Sequence, residues 1–411
     1  MGSEWITRRV AELGRVITGK TPPTADRGNF GGPYPFITIP DLDGRVFIDR
    51  TARTLSERGA QLLHSCLLPS GSVMMSCIAT VGKCGITTKP SYTNQQINSV
   101  IPDPSVVDSR FLYYTFKQLG SELEAVGSGG SVYTNVSKSR FSNIRITIPS
   151  DIKEQRAIAH ILGTLDDKIE LNERMNRTLE AIAQAIFKSW FVDFEPLRGG
   201  EFVDSDLGRI PKGWEVVQVV DLGKVITGKT PSTADPSNYG GQIPFIRIPD
   251  MNGRIFVTST EKYLSEKGAL SQSNKELPPL SVCVSCIATP GLVCLTAKPS
   301  HTNQQINSIV CKQRVSPYYV YLTIRQLSNY IARLGSGGTA TLNLNKRDFS
   351  SIKLLLPPRD ILKAFDQVIK PFFDHILSNR LESETLTQTR DALLPRLIRG
   401  GDPGEGGGEM L

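Results

Sequence analysis

The sequence has few histidines, no dense cysteine pattern and no long apolar run, and each shortage excludes a class of protein. Only four histidines occur among 411 residues, none at a repeated position, which excludes a His-based catalytic triad shared by two domains. Seven cysteines, an odd number without dense spacing, fit a reducing compartment better than a disulfide framework. No run approaches about 18 apolar residues and the first residues lack a signal-peptide core, so we expect a cytoplasmic protein.

The composition describes a soluble globular chain with a mild basic excess. Hydrophobic residues make up 39% and charged residues 21% of the chain, which is typical of neither disordered nor fibrous proteins. The formal net charge of +7 favours an anionic partner such as nucleic acid, and a solvated basic surface explains it equally well. The length predicts two or three domains.

The chain contains a duplicated domain. Residues 5–99 align without a gap with residues 214–308, and more than half of the aligned positions are identical. The segments PFITIPDLDGRVF, LSERGA, SCIAT and KPSYTNQQINS return as PFIRIPDMNGRIF, LSEKGA, SCIAT and KPSHTNQQINS. So long a period indicates a duplication rather than a solenoid, whose units span about 20 to 50 residues. Short β-branched runs between Pro, Gly, Asn and Asp clusters predict a strand-rich domain in each copy.

A long amphipathic helix is predicted after each copy. In residues 151–192, which lack proline, apolar side chains recur every three or four positions, and this spacing predicts a helix of about 38 residues with a coiled-coil seam. A matching pattern covers residues 359–399, where Pro371 predicts a kink or a late start. The predicted seam consists of Leu162, Leu165, Ile169, Asn172, Leu179, Ile186, Phe365, Ile369, Phe372, Ile376, Asn379, Leu386 and Leu393.

The obvious partner for each amphipathic helix is the other one, since neither can hide its apolar stripe alone. The chain runs out along the first helix and back along the second, so we predict an antiparallel coiled coil about 55 to 60 Å long. The predicted class is α+β. The predicted order is a first domain over 1–150, a helix over 151–192, a linker over 193–209, a second domain over 210–358, a helix over 359–399 and a disordered tail over 400–411.

Residues 14–21 and 223–230 both match the phosphate-loop pattern G-x-x-x-x-G-K-[ST]. A working loop of this kind leads into a helix whose first amides bind the phosphates. Here Lys20 and Thr21 are followed by Pro22, Pro23 and several glycines, which prevents a helix from following. We therefore predict a glycine turn that leads into a basic loop, and no nucleotide cofactor.

Two further kinds of chemistry are disfavoured by the sequence. Cys283 and Cys286 have the spacing of half a zinc site, but no second pair follows at a suitable distance, and Cys283 aligns with Met74 in the other copy. Buried apolar thiols are the favoured interpretation. The glycine-rich and N-P-P-Y signatures of adenine DNA methyltransferases are absent as well. We predict no catalytic residue, no metal and no cofactor.

Polar residues that repeat in both copies form the candidate site. The amides of the TNQQINS segments are of the kind that pair with adenine in a major groove, and the alternative is a strand-edge turn held by its own amides. The GKT loops suit phosphate contacts, and the GSGG segments at 127–130 and 335–338 are either backbone-approach loops or surface turns. The candidate DNA-binding residues are Lys20, Thr21, Thr24, Arg45, Asn94, Gln95, Gln96, Lys138, Arg140, Lys229, Thr230, Thr233, Arg247, Arg254, Asn303, Gln304, Gln305, Lys346 and Arg347.

Over nearly its whole length the chain resembles the specificity subunits of type I restriction-modification systems. The matching parts are IPSDIKEQRAIAHILGTLDDKIELN, KSWFVDFEP, the L-G-x-[IV]-x-x-G-x-T-P opening of each domain and the TNQ segments. The resemblance implies two target-recognition domains and antiparallel spacer helices that also dock modification subunits. It implies a non-catalytic subunit that aims methylation and, with a motor-nuclease subunit, cleavage. The second helix lacks the E-Q-R-x-I signature, which leaves the symmetry of the docking sites open.

Several expectations about binding follow. The partners are double-stranded DNA, two methyltransferase (modification) subunits and, through the complex, motor-nuclease (restriction) subunits. Two similar domains on an antiparallel spacer predict a near-palindromic target with an unread gap of roughly 10 to 13 base pairs. The pairs Thr38 and Arg247, and Tyr92 and His301, are expected to make the half-sites differ. A coiled-coil scaffold that binds only proteins is the main alternative, and a nucleotide-dependent enzyme requires that the GKT loops bind phosphate.

Overall fold

The computed structural model describes residues 4–127, 135–335 and 343–399. The chain divides into two compact units, one formed by residues 1–171 with 384–411 and the other by residues 172–383. Each unit contains one copy of the repeat and part of each long helix. The GSGG segments beyond Gly127 and Gly335, and the predicted tail, lie outside the described residues.

The first unit contains strands and short helices, followed by the first long helix. The strands are β1 (Trp5–Arg9), β2 (Gly14–Thr18), β3 (Phe30–Ile37), β4 (Phe47–Ile48), β5 (Arg53–Leu55), β6 (Val73–Ser76), β7 (Cys84–Thr87), β8 (Tyr92–Thr93), β9 (Ile97–Pro102) and β10 (Arg145–Pro149). The helices are α1 (Glu57–Leu62), α2 (Ser109–Gly127), α3 (Lys138–Asn143) and α4 (Ile152–Phe191), of which α4 continues into the second unit.

Two sheets form the centre of the first unit. The larger has the strand order β2-β9-β6-β7-β4, and the smaller has the order β5-β3-β8. Every residue of β6 is buried, as expected for a central strand that is covered on both faces. In the smaller sheet β3 runs parallel to β8 and pairs Ile37 with Thr93, so the end of β3 meets the start of the TNQQ segment. A separate β1–β10 pair precedes α4.

The second unit repeats this arrangement. Its strands are β11 (Phe202–Ser205), β12 (Gly208–Pro211), β13 (Glu215–Gln218), β14 (Gly223–Thr227), β15 (Tyr239–Ile246), β16 (Phe256–Val257), β17 (Tyr263–Leu264), β18 (Val282–Ser285), β19 (Val293–Thr296), β20 (His301–Thr302), β21 (Ile306–Cys311) and β22 (Lys353–Leu356). Its helices are α5 (Val219–Leu222), α6 (Ile248–Met251), α7 (Glu266–Leu270), α8 (Pro317–Gln326), α9 (Ser328–Gly335), α10 (Lys346–Ser350) and α11 (Arg359–Ile398), of which α11 continues into the first unit.

The sheets of the second unit have the orders β14-β21-β18-β19-β16 and β17-β15-β20, the same as their counterparts in the first. The predicted duplication of a strand-rich domain is therefore confirmed. The segment expected as a linker over 193–209 contains β11 and the start of β12, which pair as a hairpin. Among the described residues, no helix is long and apolar enough to cross a membrane.

The two long helices have 40 residues each, and their bounds lie within one residue of the prediction. Helix α11 begins at Arg359, upstream of Pro371, so of the two effects expected of this proline, a kink or a late start, the late start does not occur. Pro371 is exposed, and the helix continues through it. In the second unit, the Asn172 side chain donates to the Asn379 carbonyl at 3.4 Å and to Ser383 Oγ at 3.3 Å, while Asn379 donates to Asn176 Oδ1 at 2.9 Å. These bonds fix the register of an antiparallel pair.

The outer parts of the long helices pack into the domain cores. Ile158, Leu162 and Leu394 join the first unit's core, and Phe187 and Phe373 join the second unit's core. Some of the predicted seam residues are therefore buried and others are only half-buried. A helix of 3.6 residues per turn drifts away from a strict seam, and the ends of each helix face a globular core. Those that are buried are Leu162, Asn172, Phe365, Ile369, Ile376 and Asn379. Those that are half-buried are Leu165, Ile169, Leu179, Ile186, Phe372, Leu386 and Leu393.

The glutamine of the E-Q-R-x-I signature anchors α4 to its own domain. Gln155 is fully buried, accepts from the Asp108 amide at 2.9 Å and donates to the carbonyls of Val106 and Pro149 at 3.1 and 2.8 Å. The matching position in α11 is Leu362, which is buried in the apolar core of the second unit. The missing signature therefore reflects a different way of attaching the helix to its domain.

A second difference between the units is an ion pair. In the first unit Arg390 donates to Asp166 at 2.5 Å, and the Tyr114 hydroxyl donates to the same carboxylate at 2.7 Å. The side chains of Asp166 and Arg390 are only 6% and 11% exposed. Counted from the aligned Asn172 and Asn379, the matching residues of the second unit are Phe373 and Ala183, both in an apolar core. The same place in the repeat is thus ionic in one unit and apolar in the other.

Candidate nucleic-acid interface

In each unit the GKT loop lies against the TNQQ turn. The Gly19 amide donates to the Ile97 carbonyl at 3.2 Å, and the Gly228 amide donates to the Ile306 carbonyl at 3.1 Å. A Cβ atom at Gly19 would lie 2.2 Å from the Asn94 carbonyl oxygen, so only glycine allows the two segments to come this close. The glycine before the lysine of the G-x-x-x-x-G-K-[ST] pattern therefore allows the GKT loop to contact the TNQQ turn.

A side-chain hydrogen bond joins the two motifs. The Thr21 hydroxyl donates to the Gln95 carboxamide oxygen at 2.7 Å, and the Thr230 hydroxyl donates to that of Gln304 at 2.6 Å. Both glutamines are exposed and both threonines are half-buried. Since a threonine holds the oxygen of each carboxamide, the amide nitrogen of each glutamine is the end presented outward as a donor.

The remaining amides of the TNQQ turn hold the turn itself. Asn94 donates to Gln96 Oε1 at 3.0 Å and accepts from the Gln96 amide at 3.1 Å, and Asn303 and Gln305 repeat both bonds at 2.8 and 3.2 Å. Asn94 and Asn303 are buried, and Gln96 and Gln305 are half-buried. The two interpretations of the segment thus apply to different residues, since the asparagines shape the turn and Gln95 or Gln304 faces outward.

The SCIAT segment is a third part of the interface and was not among the candidate residues. The Cys77 amide donates to the Gln96 carbonyl at 2.8 Å, and the Cys286 amide donates to the Gln305 carbonyl at the same distance. Its letter-for-letter return in both copies is the sequence signal that could have identified it. The segment that leads into α3 lies next to it, because the Val136 amide donates to the Cys77 carbonyl at 2.8 Å.

Basic and hydroxyl side chains surround these turns. Lys20 and Thr24 are exposed on the first GKT loop, and Lys229 and Thr233 are exposed on the second. Helices α3 and α10 follow the SCIAT-linked segments and carry the exposed candidates Lys138, Arg140, Lys346 and Arg347. Each unit therefore combines an outward amide donor with cations on two neighbouring segments, which suits base and phosphate contacts respectively.

The other candidate arginines have partners within the protein. Arg45 forms ion pairs with Asp43 at 2.9 Å and Asp49 at 2.6 Å, and its side chain is 19% exposed. Arg254 donates to the Ser259 carbonyl at 3.0 Å. The structure thus does not bring these two guanidinium groups together with the TNQQ turns as outward-facing cations, because nearby acceptors within their own loops bind them.

The expected half-site differences fall at two unlike positions. Arg247 directly follows β15, whose last carbonyl, that of Ile246, accepts from the Asn303 amide at 3.1 Å, so this arginine lies beside the second TNQQ turn. It also pairs with Glu261 at 2.6 Å. His301, by contrast, is buried, and burial lowers its pKa. Tyr92 is buried as well, so the pair Tyr92 and His301 is not on the surface of the interface.

The remaining motifs adopt structures unlike those of catalytic sites. Residues 14–18 form strand β2 and irregular chain follows, so the GKT loop does not lead into a helix as a phosphate loop does. Burial raises the pKa of the Cys77 and Cys286 thiols to about 11, which keeps them protonated at neutral pH. Within the described part of the chain, no three His, Cys, Asp or Glu side chains form a group that could hold a metal.

Comparison with known proteins agrees with this arrangement. A family described as the type I restriction modification DNA specificity domain matches residues 2–181 and, a second time, residues 211–389. The specificity subunit of type I restriction enzyme HindI from Haemophilus influenzae is 40% identical over 66% of this chain and 72% of its own length. That of type I restriction enzyme MjaIX from Methanocaldococcus jannaschii is 30% identical over 97% of this chain and 93% of its own.

A solved structure supports the fold at lower sequence identity. The S subunit of a type I restriction-modification system from M. genitalium superposes with a TM-score of 0.59, at 15% identity and over 96% of both chains. The family match covers each copy of the repeat separately, in agreement with the two interfaces described above. The chain therefore belongs to the family of type I restriction-modification DNA specificity subunits, which are non-catalytic DNA-recognition proteins.

Proposed function

We propose that this chain reads a bipartite, near-palindromic DNA target and directs adenine methylation and cleavage by partner subunits. The observation that carries the proposal is the repetition of one interface in both units, with Thr21 and Gln95 matched by Thr230 and Gln304. Each unit presents an oriented carboxamide that can pair with a base edge. The proposal includes a cytoplasmic location.

The charged groups around each glutamine support a division of roles. Lys20 and Lys229 are exposed one residue before the bonding threonines, and cations at such positions suit phosphate oxygens. Phosphate contacts supply affinity that does not depend on sequence, whereas the glutamines supply discrimination. The two functions are linked, because Lys20 precedes Thr21 in sequence and Thr21 hydrogen-bonds Gln95.

The near-palindromic form of the target follows from the repeat. Residues 5–99 and 214–308 are more than half identical, and they include every hydrogen-bonded element of the GKT loop and the TNQQ turn. Two units with the same reading groups are expected to prefer similar half-sites. Thr38 and Arg247 occupy the same place beside the turn, so this pair is where the half-sites are expected to differ.

Two modification subunits are the proposed protein partners, one for each unit. Ile161 on α4 is 48% exposed and Val368 on α11 is 41% exposed. They occupy matching positions relative to Asn172 and Asn379, and each follows an exposed alanine four residues earlier, Ala157 or Ala364. Equivalent exposed apolar positions favour two equivalent docking sites. Motor-nuclease subunits are expected to join through the resulting complex.

Duplex binding measured over a salt series tests the proposed function. A DNA-recognition subunit releases counterions on binding, so log K should fall steeply and linearly with log salt, and a target duplex should bind more tightly than a scrambled one. A scaffold that binds only proteins would show a shallow slope and no preference between the duplexes.

A further inference from the structure

The SCIAT segments contain a rare backbone turn in both units. The Thr80 amide donates to the Ile78 carbonyl at 2.9 Å, and the Thr289 amide donates to the Ile287 carbonyl at 2.8 Å. The residues between them, Ala79 and Ala288, have φ values of 66° and 64°. A three-residue hydrogen-bonded turn with positive φ at its centre is the strained form of the γ-turn.

Alanine is an unfavourable residue at the centre of this turn. Positive φ brings Cβ into conflict with the backbone, whereas glycine adopts the same conformation at little cost. Ala79 and Ala288 are both exposed, so neither methyl group contributes to packing in a core. The strained residue occurs at the same place in both copies, and the fold itself gives no reason to retain a methyl group there.

The turn adjoins the TNQQ turn. Cys77, two residues before Ala79, binds the Gln96 carbonyl through its amide, and Gln96 follows the exposed Gln95. Thr80 and Thr289 are exposed as well, so each turn presents a methyl group and a hydroxyl side by side. In the second unit the Ser285 hydroxyl braces the turn by donating to the Thr289 carbonyl at 2.5 Å.

We propose that Ala79 with Thr80, and Ala288 with Thr289, form a further DNA-contacting element in each unit. The alanine methyl makes an apolar contact with the DNA, of the kind that thymine methyl groups offer, and the threonine hydroxyl hydrogen-bonds a base edge or a phosphate. The inference rests on the proposed function, because it assumes that the neighbouring glutamine faces DNA. Contact with DNA then explains why both copies retain a strained alanine in an exposed turn.

Glycine substitution separates binding from folding. The variants Ala79→Gly, Ala288→Gly and the double variant are prepared in the full chain, assembled with its modification subunits. Each is tested with the target duplex, a scrambled duplex and a target duplex that carries uracil for thymine. We expect an unchanged or higher Tm, because strain is relieved. We also expect target affinity to fall about four-fold for each substitution, the value of one lost methyl contact.

The controls and the uracil duplex make the result decisive. Ala185→Gly removes another exposed methyl group, on helix α4 at a position without positive φ, and should leave target affinity unchanged. If a thymine methyl is the partner, the wild type should bind the uracil duplex more weakly than the target duplex. The glycine variants should show a smaller difference in affinity between these two duplexes. Unchanged target affinity in the double variant, a lower Tm, or loss of modification subunits with DNA affinity intact would each overturn the inference. If wild type did not distinguish target from scrambled DNA, the proposed function itself would fail.

Discussion

The Thr21 hydroxyl and the Gln95 carboxamide oxygen are joined by a 2.7 Å hydrogen bond that bridges 74 positions of sequence. The same bond links Thr230 with Gln304, across the same separation. A carboxamide has one accepting end and one donating end, so a partner for the oxygen fixes which end is presented to a ligand. Pairing with adenine uses the nitrogen as donor and the second lone pair of the oxygen as acceptor, in a defined order, which makes the orienting threonine part of recognition.

Replacing either glutamine should relax discrimination at one half-site. Gln95→Ala or Gln304→Ala removes the oriented amide, and the preference at that position should fall by about 1 to 3 kcal/mol. Thr21→Val should weaken the same preference in part, and Thr21→Ser should retain it. Competition between duplexes that differ at single positions measures the effect. An unchanged preferred sequence in the glutamine variants would show that the turn is only structural.

Lysine substitutions on the GKT loops should act without regard to sequence. Lys20→Ala and Lys229→Ala should weaken target and scrambled duplexes by similar factors and reduce the salt slope by about 1 each, since a phosphate contact carries no base information. Titrations at several salt concentrations test this. A selective loss on the target duplex alone would assign these lysines to base contacts instead.

Removing one member of the Asp166–Arg390 ion pair should destabilise the protein, whereas replacing the whole pair with apolar residues should be tolerated. Arg390→Ala leaves a buried carboxylate without its cation and should cost about 3 to 5 kcal/mol of unfolding free energy. The triple change Asp166→Phe, Arg390→Ala and Tyr114→Phe introduces the residues found at the matching positions of the second unit, Phe373 and Ala183, and also removes the hydroxyl that donates to Asp166, so it should recover most of that loss.

Urea unfolding measures these free energies. Lys370→Ala, which removes an exposed ion pair with Asp374, is the control and should change stability by less than about 1 kcal/mol. If the triple variant is no more stable than Arg390→Ala, the ion pair has a role that apolar packing cannot replace, and the equivalence of the two sites is wrong.

A charge introduced on the exposed face of either long helix should prevent one modification subunit from binding. Ile161→Glu and Val368→Glu each place a carboxylate in one proposed docking site, so each should reduce the complex from two modification chains to one. Native mass measurement at saturating modification subunit gives the stoichiometry. A wild-type complex with one modification chain, or single variants that retain two, would contradict the proposed docking sites.

The features that were predictable from sequence depend on local patterns. Helical periodicity places the ends of α4 and α11 within one residue, because an apolar stripe over some eleven turns is a strong signal. Self-comparison identifies the duplicated domain, and the conflict between the GKT pattern and Pro22 excludes a phosphate loop. Of the two effects expected of Pro371, the late start does not occur, because an exposed proline can be accommodated within a helix that tertiary contacts stabilise on both sides of it.

Other features depend on tertiary contacts that no local pattern encodes. The bond between Thr21 and Gln95 requires the parallel β3–β8 pairing and the close approach at Gly19, and neither is visible in the sequence. The positive φ of Ala79 goes against the propensity of alanine, so a sequence argument would have expected glycine. The ion pairs of Arg45 could have been predicted from the sequence, since Asp43 and Asp49 lie two and four residues away.

Mapping methylated adenines across a genome that carries this system tests the central claim most directly. If the two units read DNA through the same groups, methylation should fall at one bipartite sequence, with two similar half-sites in inverted orientation separated by unread bases. A variant with Arg247→Thr should make the two half-sites more alike, since Thr38 occupies that place in the first copy. An asymmetric target whose halves are unrelated would contradict the account.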